Sequence, residues 1–335
     1  MAKKDLLNSL TQKELLAMPL NQLKVDLKNS WIFPLINKLY KELEQKNIKL
    51  KPKIWVADDW FSPDGSAGFA LPFYLLHPRL MRLEKKYIHE IEGHTKLWCM
   101  KLLRHETAHC LDNAYHLRKL KVRQQIFGLT SKKYPKSYLP IRGDKNFVHH
   151  LQGSYAQAHP DEDFAETFAV WLDPKSNWEN KYASWPVINK LNYIDEIMQE
   201  VAYRKIKNRS VEKINEIKSL DHTLADYFFE KRNRLKINLQ KNINSRLTKE
   251  FSANRRNSTQ LNKLLTRNRQ EIKKSLSLET KQQQYKIDLV LEDLISLSKK
   301  RNLQFRGKEN RAKERIKKLI RQNIDKSGNT ARIIM

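Results

Sequence analysis

The chain has 335 residues, 40% of them hydrophobic and 30% charged, enough for one sizeable core plus an appended unit. It holds no apolar run of eighteen residues, and its first twenty, MAKKDLLNSLTQKELLAMPL, lack an uninterrupted apolar stretch; both argue against a transmembrane helix or a signal peptide. Cys99 and Cys110 fall eleven apart on one predicted helix, about 16 Å from each other and beyond disulfide reach, which fits a reducing, cytoplasmic setting. In chain order, residues 5–48 carry an amphipathic helical pattern broken near Pro19 and Pro34. Residues 50–77 change character. The runs IWVADDWF and GFALPFYLL are β-branched or aromatic and are split by Pro63, Asp64 and Gly65, so a small sheet is expected there.

Residues 95–118 contain neither Pro nor Gly, and Leu97, Met100, Leu103 and Leu111 recur at helical spacing. Inside this predicted helix lies Arg-His-Glu-Thr-Ala-His, residues 104–109. His105 and His109, four apart, leave one helix face a turn apart, as a single metal ion requires. Glu106, one step round, is placed to take a proton from a water at that metal. Residues 120–158 read as a loop-rich crossover around Pro135, Pro140 and Gly143, with His149 and His150 as polar loop residues. A second helix is expected over 159–173, HPDEDFAETFAVWLD: Pro160 suits its first position, and Asp161 and Asp163 suit solvated capping of its first turn. His159 reads as one more polar loop residue. Phe164, Phe168, Trp171 and Leu172 form the apolar stripe. Glu162 and Glu166 share another face beside Ala165 and Ala169. One of the two would complete a two-His-one-Glu zinc site, one ion per chain, and the other would buttress a ligand imidazole; their phases differ by only about 40°, so spacing alone does not choose. Asp112, three after His109, is a further candidate for orienting an imidazole.

The segments LRHETAHCLDNAY and SYAQAHPDEDFAETFAVWL resemble the bacterial zinc-binding metallopeptidases, zincins with a glutamate ligand whose active-site pattern is similar to that of anthrax lethal factor. HPRLMRLE at 77–84 and KYASWPVINKLNYIDEIM at 181–198 are similar to the same family, so the resemblance spans roughly 50–230. It implies His105, His109 and Glu162 as zinc ligands, Glu106 as general base, Glu166 behind a ligand, and Tyr155 as the donor to the oxyanion. It also implies a zincin-like domain with its small sheet over the motif helix, whose edge strand would take an extended peptide.

After Pro186 no proline occurs, and Gly307 and Gly328 are the remaining glycines, so long helices are expected to about residue 323. Residues 201–335 hold 35 Lys and Arg against 14 Asp and Glu, which is +21 of the chain's +28. Lys231, Arg232 and Arg234, with Arg311, Lys313, Arg315, Lys317, Lys318 and Arg321, form clusters suited to nucleic acid or another polyanion. The resulting expectation is an α+β, mainly helical protein: an N-terminal helical segment (1–49), a metallopeptidase domain (50–230) acting on peptides or proteins, and a basic all-α region (231–335). A non-catalytic polyanion-binding protein with a structural zinc site is the competing reading.

Overall fold

The computed structural model describes residues 6–135, 137–138, 140–141, 143–235, 243–251, 259–280, 282–326 and 333–334. The chain divides into two compact units, one of Met1–Lys86, Ile91–Pro135 and Pro140–Phe229, the other of Tyr87–Glu90, Lys136–Leu139 and Glu230–Met335. Among the described residues no helix is long and apolar enough to cross a membrane.

The first unit opens with α1 (Leu6–Ser9) and α2 (Gln12–Ala17), the latter begun by a Thr11–Glu14 capping box in which each side chain takes the other's backbone N–H. The helix α3 (Phe33–Gln45) carries Pro34 in its first turn. There proline starts the helix instead of breaking it, because its missing N–H is one the first turn leaves without an intrahelical partner anyway. The expected sheet exists as β1 (Lys53–Ala57) and β2 (Gly68–Pro72), but the strands run parallel, in register from Lys53 opposite Gly68 to Ala57 opposite Pro72. Gly68 is obligatory at that pairing, since a Cβ would stand 2.4 Å from the Lys53 carbonyl oxygen. The connection 58–67 returns the chain past β2, where the Phe61 carbonyl accepts from Ala70 N–H at 2.8 Å. After α4 (Pro78–Ile88) comes α5 (Lys96–Tyr115), capped by the Thr95 side chain and stopped at His116, whose φ is 56°. Then follow α6 (Lys121–Phe127), α7 (Pro160–Leu172), α8 (Trp178–Tyr182) and α9 (Ile188–Tyr203).

The pair α5 and α7 forms the centre of this unit. Ala108 on α5 and Ala165 and Ala169 on α7 are fully buried, so little side-chain bulk separates the backbones. Beside them, buried Arg104 holds Glu42 of α3 in a two-pronged pair, both contacts 2.8 Å, and Asp173 at the end of α7 at 2.7 Å. Three helices are thereby tied together one residue from His105, and a lone buried charge left by losing one partner would be costly. Residues 204–223 do not extend α9 as expected. Their backbone is spent elsewhere: Lys207 and Asn208 N–H groups reach the Ala114 carbonyl, Ser210 accepts from Ala67, and Leu220 and His222 accept from Asn21 and Leu20. The start of α10 (Leu224–Leu235) returns to the same core, with Tyr227 against the Phe73 ring and its hydroxyl on Glu84.

The second unit contains α11 (Ile243–Glu250), α12 (Leu261–Arg267), α13 (Arg269–Thr280), α14 (Gln284–Lys300) and α15 (Glu309–Lys326). Two short antiparallel pairs join them, β3 (Ser137–Tyr138) with β6 (Ile333–Ile334), and β4 (Thr259–Gln260) with β5 (Gln304–Phe305). Leu247, Leu264, Leu276, Leu291 and Ile316 belong to one buried apolar cluster, so this unit has its own core. The helix expected across 236–242 and 252–258 lies outside the described residues.

Candidate metal centre

Each donor is delivered by a helix whose phase was set by apolar packing. His105 and His109 project from α5, and Glu162 from the first turn of α7. His105 Nε2 lies 3.2 Å from His109 Nε2, and Glu162 Oε2 lies 3.1 Å from the first and 3.5 Å from the second. Among the described residues these three form the group able to hold a metal ion. Ligand atoms bonded at about 2.0–2.1 Å to a tetrahedral ion stand about 3.3–3.4 Å apart, so the triangle has the size of one face of a zinc tetrahedron. Glu162 Oε2 is buried and makes no hydrogen bond of acceptable geometry among the described residues, although two imidazoles stand at ion-pair distance. A buried, converging set of this kind fits a cation.

The electrostatics agree. Burial opposes ionisation of Glu162, but His109 and His105 outweigh it and hold the carboxyl well below the usual range. Burial alone would push the His105 imidazole down, yet the Glu162 and Glu166 carboxylates carry it well above its ordinary value. His109 is raised by Glu162 against the same opposition. The triangle therefore favours positive charge between its members. Glu166 stands on the other side of His105: Nδ1–H donates to its Oε1 at 2.8 Å, and Leu151 N–H donates to its Oε2 at 2.8 Å. When the ring is neutral, that bond places its proton on Nδ1 and leaves the Nε2 lone pair facing the triangle. Glu106 is buried on α5, burial pushes its carboxyl up, and its Oε2 has no hydrogen-bond partner among the described residues.

Other predicted residues fall as follows. Tyr155 sits on the short turn Gln152–Gln157, after Gly153 and Ser154 at positive φ, and its ring centroid lies 5.7 Å from that of His105. Asp112 faces Arg118 at 3.1 Å and Arg123 at 3.4 Å, so its described hydrogen bonds go to guanidinium groups and not to a ligand imidazole. Asp161 and Asp163 are not solvated caps. Both are buried, Asp161 against Arg123 and Thr130, Asp163 against Lys190 at 2.7 Å, while the cap of α7 is the His159 side chain. His149 packs edge-on against Trp185, and buried His150 contacts the Lys101 carbonyl. Of the basic candidates, Lys231 is buried and Arg232 pairs with Glu292 and Asp293. Lys313 pairs with Glu271, Lys317 with Glu314 and Arg321 with Glu279. Arg311, Arg315 and Lys318 line a concavity of about 560 Å³ along α15, and Arg234 lies in the last turn of α10. Sequence reasoning missed Tyr134, whose hydroxyl donates to Glu162 Oε1 at 2.9 Å.

Two helices presenting His, His and Glu to one point, with a second buried carboxylate, Glu106, one residue from a candidate ligand, define a candidate mononuclear metal centre. Residues 99–226 match the family described as "Putative zinc-binding metallo-peptidase", a stretch that holds all four groups, and the match bears out the resemblance to zinc-binding metallopeptidases. Neither a curated protein nor a solved structure matches the chain.

Proposed function

We propose that the first unit is a zinc-dependent metallopeptidase of the zincin type, with His105, His109 and Glu162 holding one zinc ion. The observation that carries this reading is the triangle of 3.1, 3.2 and 3.5 Å beside buried Glu106, whose Oε2 has no hydrogen-bond partner among the described residues. Zinc, when bound, supplies a water acidified to a pKa of about 7 and polarises a carbonyl. Glu106 accepts a proton at its buried carboxylate and returns it to the leaving amine, a role suited to a carboxyl raised by burial. Glu166 keeps the His105 imidazole in one tautomer and one orientation. Tyr155, from its turn beside His105, donates to the carbonyl oxygen as charge grows there. Peptide bonds of cytoplasmic proteins are the substrates. The competing reading, a structural zinc site in a non-catalytic protein, has no use for a buried carboxylate at position 106 whose Oε2 is left without a partner among the described residues.

Glu106→Gln tests the division of roles. The variant retains stoichiometric zinc and loses hydrolysis of a peptide library, because Glu106 is a base and not a ligand. A variant that purifies without zinc while the parent keeps it would sink the assignment. The basic second unit is, in the same reading, a nucleic-acid tether whose contact face includes Arg311, Arg315 and Lys318.

A further inference from the structure

We propose that Tyr134 is a positioning residue that selects which oxygen of Glu162 faces the two histidines, and that residues 128–135 are shaped to hold it there. The proposal rests on the metal reading above. Tyr134 hydroxyl donates to Glu162 Oε1 at 2.9 Å, which leaves Oε2 as the oxygen in the triangle, 3.1 Å from His105 and 3.5 Å from His109. The phenol ring stacks on the His159 imidazole with centroids 3.7 Å apart and planes 15° from parallel. His159 is itself fixed at both nitrogens. Its Nδ1 accepts from Asp161 N–H at 3.2 Å, so Nε2–H donates to the Lys132 carbonyl at 2.6 Å. The platform under Tyr134 and the backbone two residues before it are therefore one hydrogen-bonded piece.

The same stretch is attached a second time. Thr130 donates to Asp161 at 2.9 Å and accepts from Arg123 at 2.9 Å, and Arg123, fully buried, also reaches Asp161 at 2.6 Å. Gly128 begins the stretch at a φ of +103°, with Pro160 so close that a Cβ would meet its Cγ at 3.1 Å. Apart from the Arg123 bond to Thr130, these attachments fall on residues 159–161, the three that precede Glu162. Tyr134 is nonetheless 44% exposed, so core packing does not account for its place, whereas its hydroxyl touches a buried carboxylate. A carboxylate with one oxygen tied by a neutral donor offers only the other. Without that tie it can turn and offer both, which changes the coordination number and removes a preorganising contact.

The test is full-length Tyr134→Phe, which keeps the stacked ring and removes the one hydroxyl. Zinc affinity, read by chelator competition, is expected to fall roughly ten- to a hundredfold. The visible spectrum of the cobalt-substituted protein is expected to lose intensity as a second carboxylate oxygen joins, and the metal-free thermal midpoint should not move. Unchanged zinc affinity with an unchanged cobalt spectrum overturns the proposal. A lowered metal-free midpoint accompanying the lost affinity also overturns it, by assigning Tyr134 to packing. If the parent protein binds no zinc, the metal reading itself fails and takes this one with it, an outcome recognisable because it appears before any substitution is made.

Discussion

Glu162 and Glu166 lie one helical turn apart with nearly the same phase, yet they meet His105 at opposite nitrogens, Glu162 at Nε2 and Glu166 at Nδ1. The difference is one of height along α7 relative to α5, which no periodicity in one helix encodes. From this geometry Glu162→Ala should abolish tight zinc binding, while Glu166→Ala should weaken it roughly ten- to a hundredfold by freeing the imidazole to turn. A zinc-competition titration that ranked the two in reverse would transfer the ligand role to Glu166. The shared placement of His105, Glu106 and His109 was readable because one helix carries all three. Tyr134 was not readable, since it reaches Glu162 across 28 residues from a loop with no spacing rule.

At the scale of elements, the two helices that carry the candidate donors were legible, one from a stretch free of Pro and Gly with apolar residues at helical spacing, the other from Pro160 in its first position. The parallel pairing of β1 and β2 was not, because the Pro63–Gly65 turn signal says that the chain bends and not how far it travels before pairing. Residues 204–223 were misread as helix since the lack of Pro and Gly permits a helix without requiring one; tertiary hydrogen bonds took the backbone instead. In the second unit, α14 contains a lysine that its apolar neighbours do not explain. Lys286 is 1% exposed, and burial lowers its ammonium to about 8, with Glu90 offsetting this only in part. The folded value lies below the ordinary 10.5, so the unfolded chain holds the proton more tightly and stability rises as pH climbs from about 8 to 10.5. Lys286→Met should therefore stabilise this unit at neutral pH by about 1–3 kcal/mol. In thermal melts the gain should shrink across that alkaline window, and a gain independent of pH would point to packing and not to charge.

For the molecule as a whole, the charge is divided unevenly: +21 falls on residues 201–335 and +7 on the first 200 residues, which hold the candidate donors. Much of the basic excess on α15 is already met by Glu271, Glu314 and Glu279, which narrows a contact face to Arg311, Arg315 and Lys318. Full-length protein should bind duplex DNA weakly and with little sequence preference, more tightly at low salt. Reversing those three residues to Glu should flatten the plot of log affinity against log salt by about two to three, one phosphate contact each. Absence of any salt-sensitive binding in the parent would leave the charge as a solvated surface.

The division of the chain also has a consequence for inheritance. Residues 87–90 and 137–138 lie in sequence inside the stretch that carries the candidate metal centre, yet they belong to the second unit, where His89 meets Glu292 at 2.7 Å and β3 pairs with β6. A recombination at codon 230 would carry away most of that unit and leave those two pieces behind, stranding an imidazole and a strand. The basic unit is thus no detachable cassette, and a lineage that keeps one half of this gene has reason to keep both.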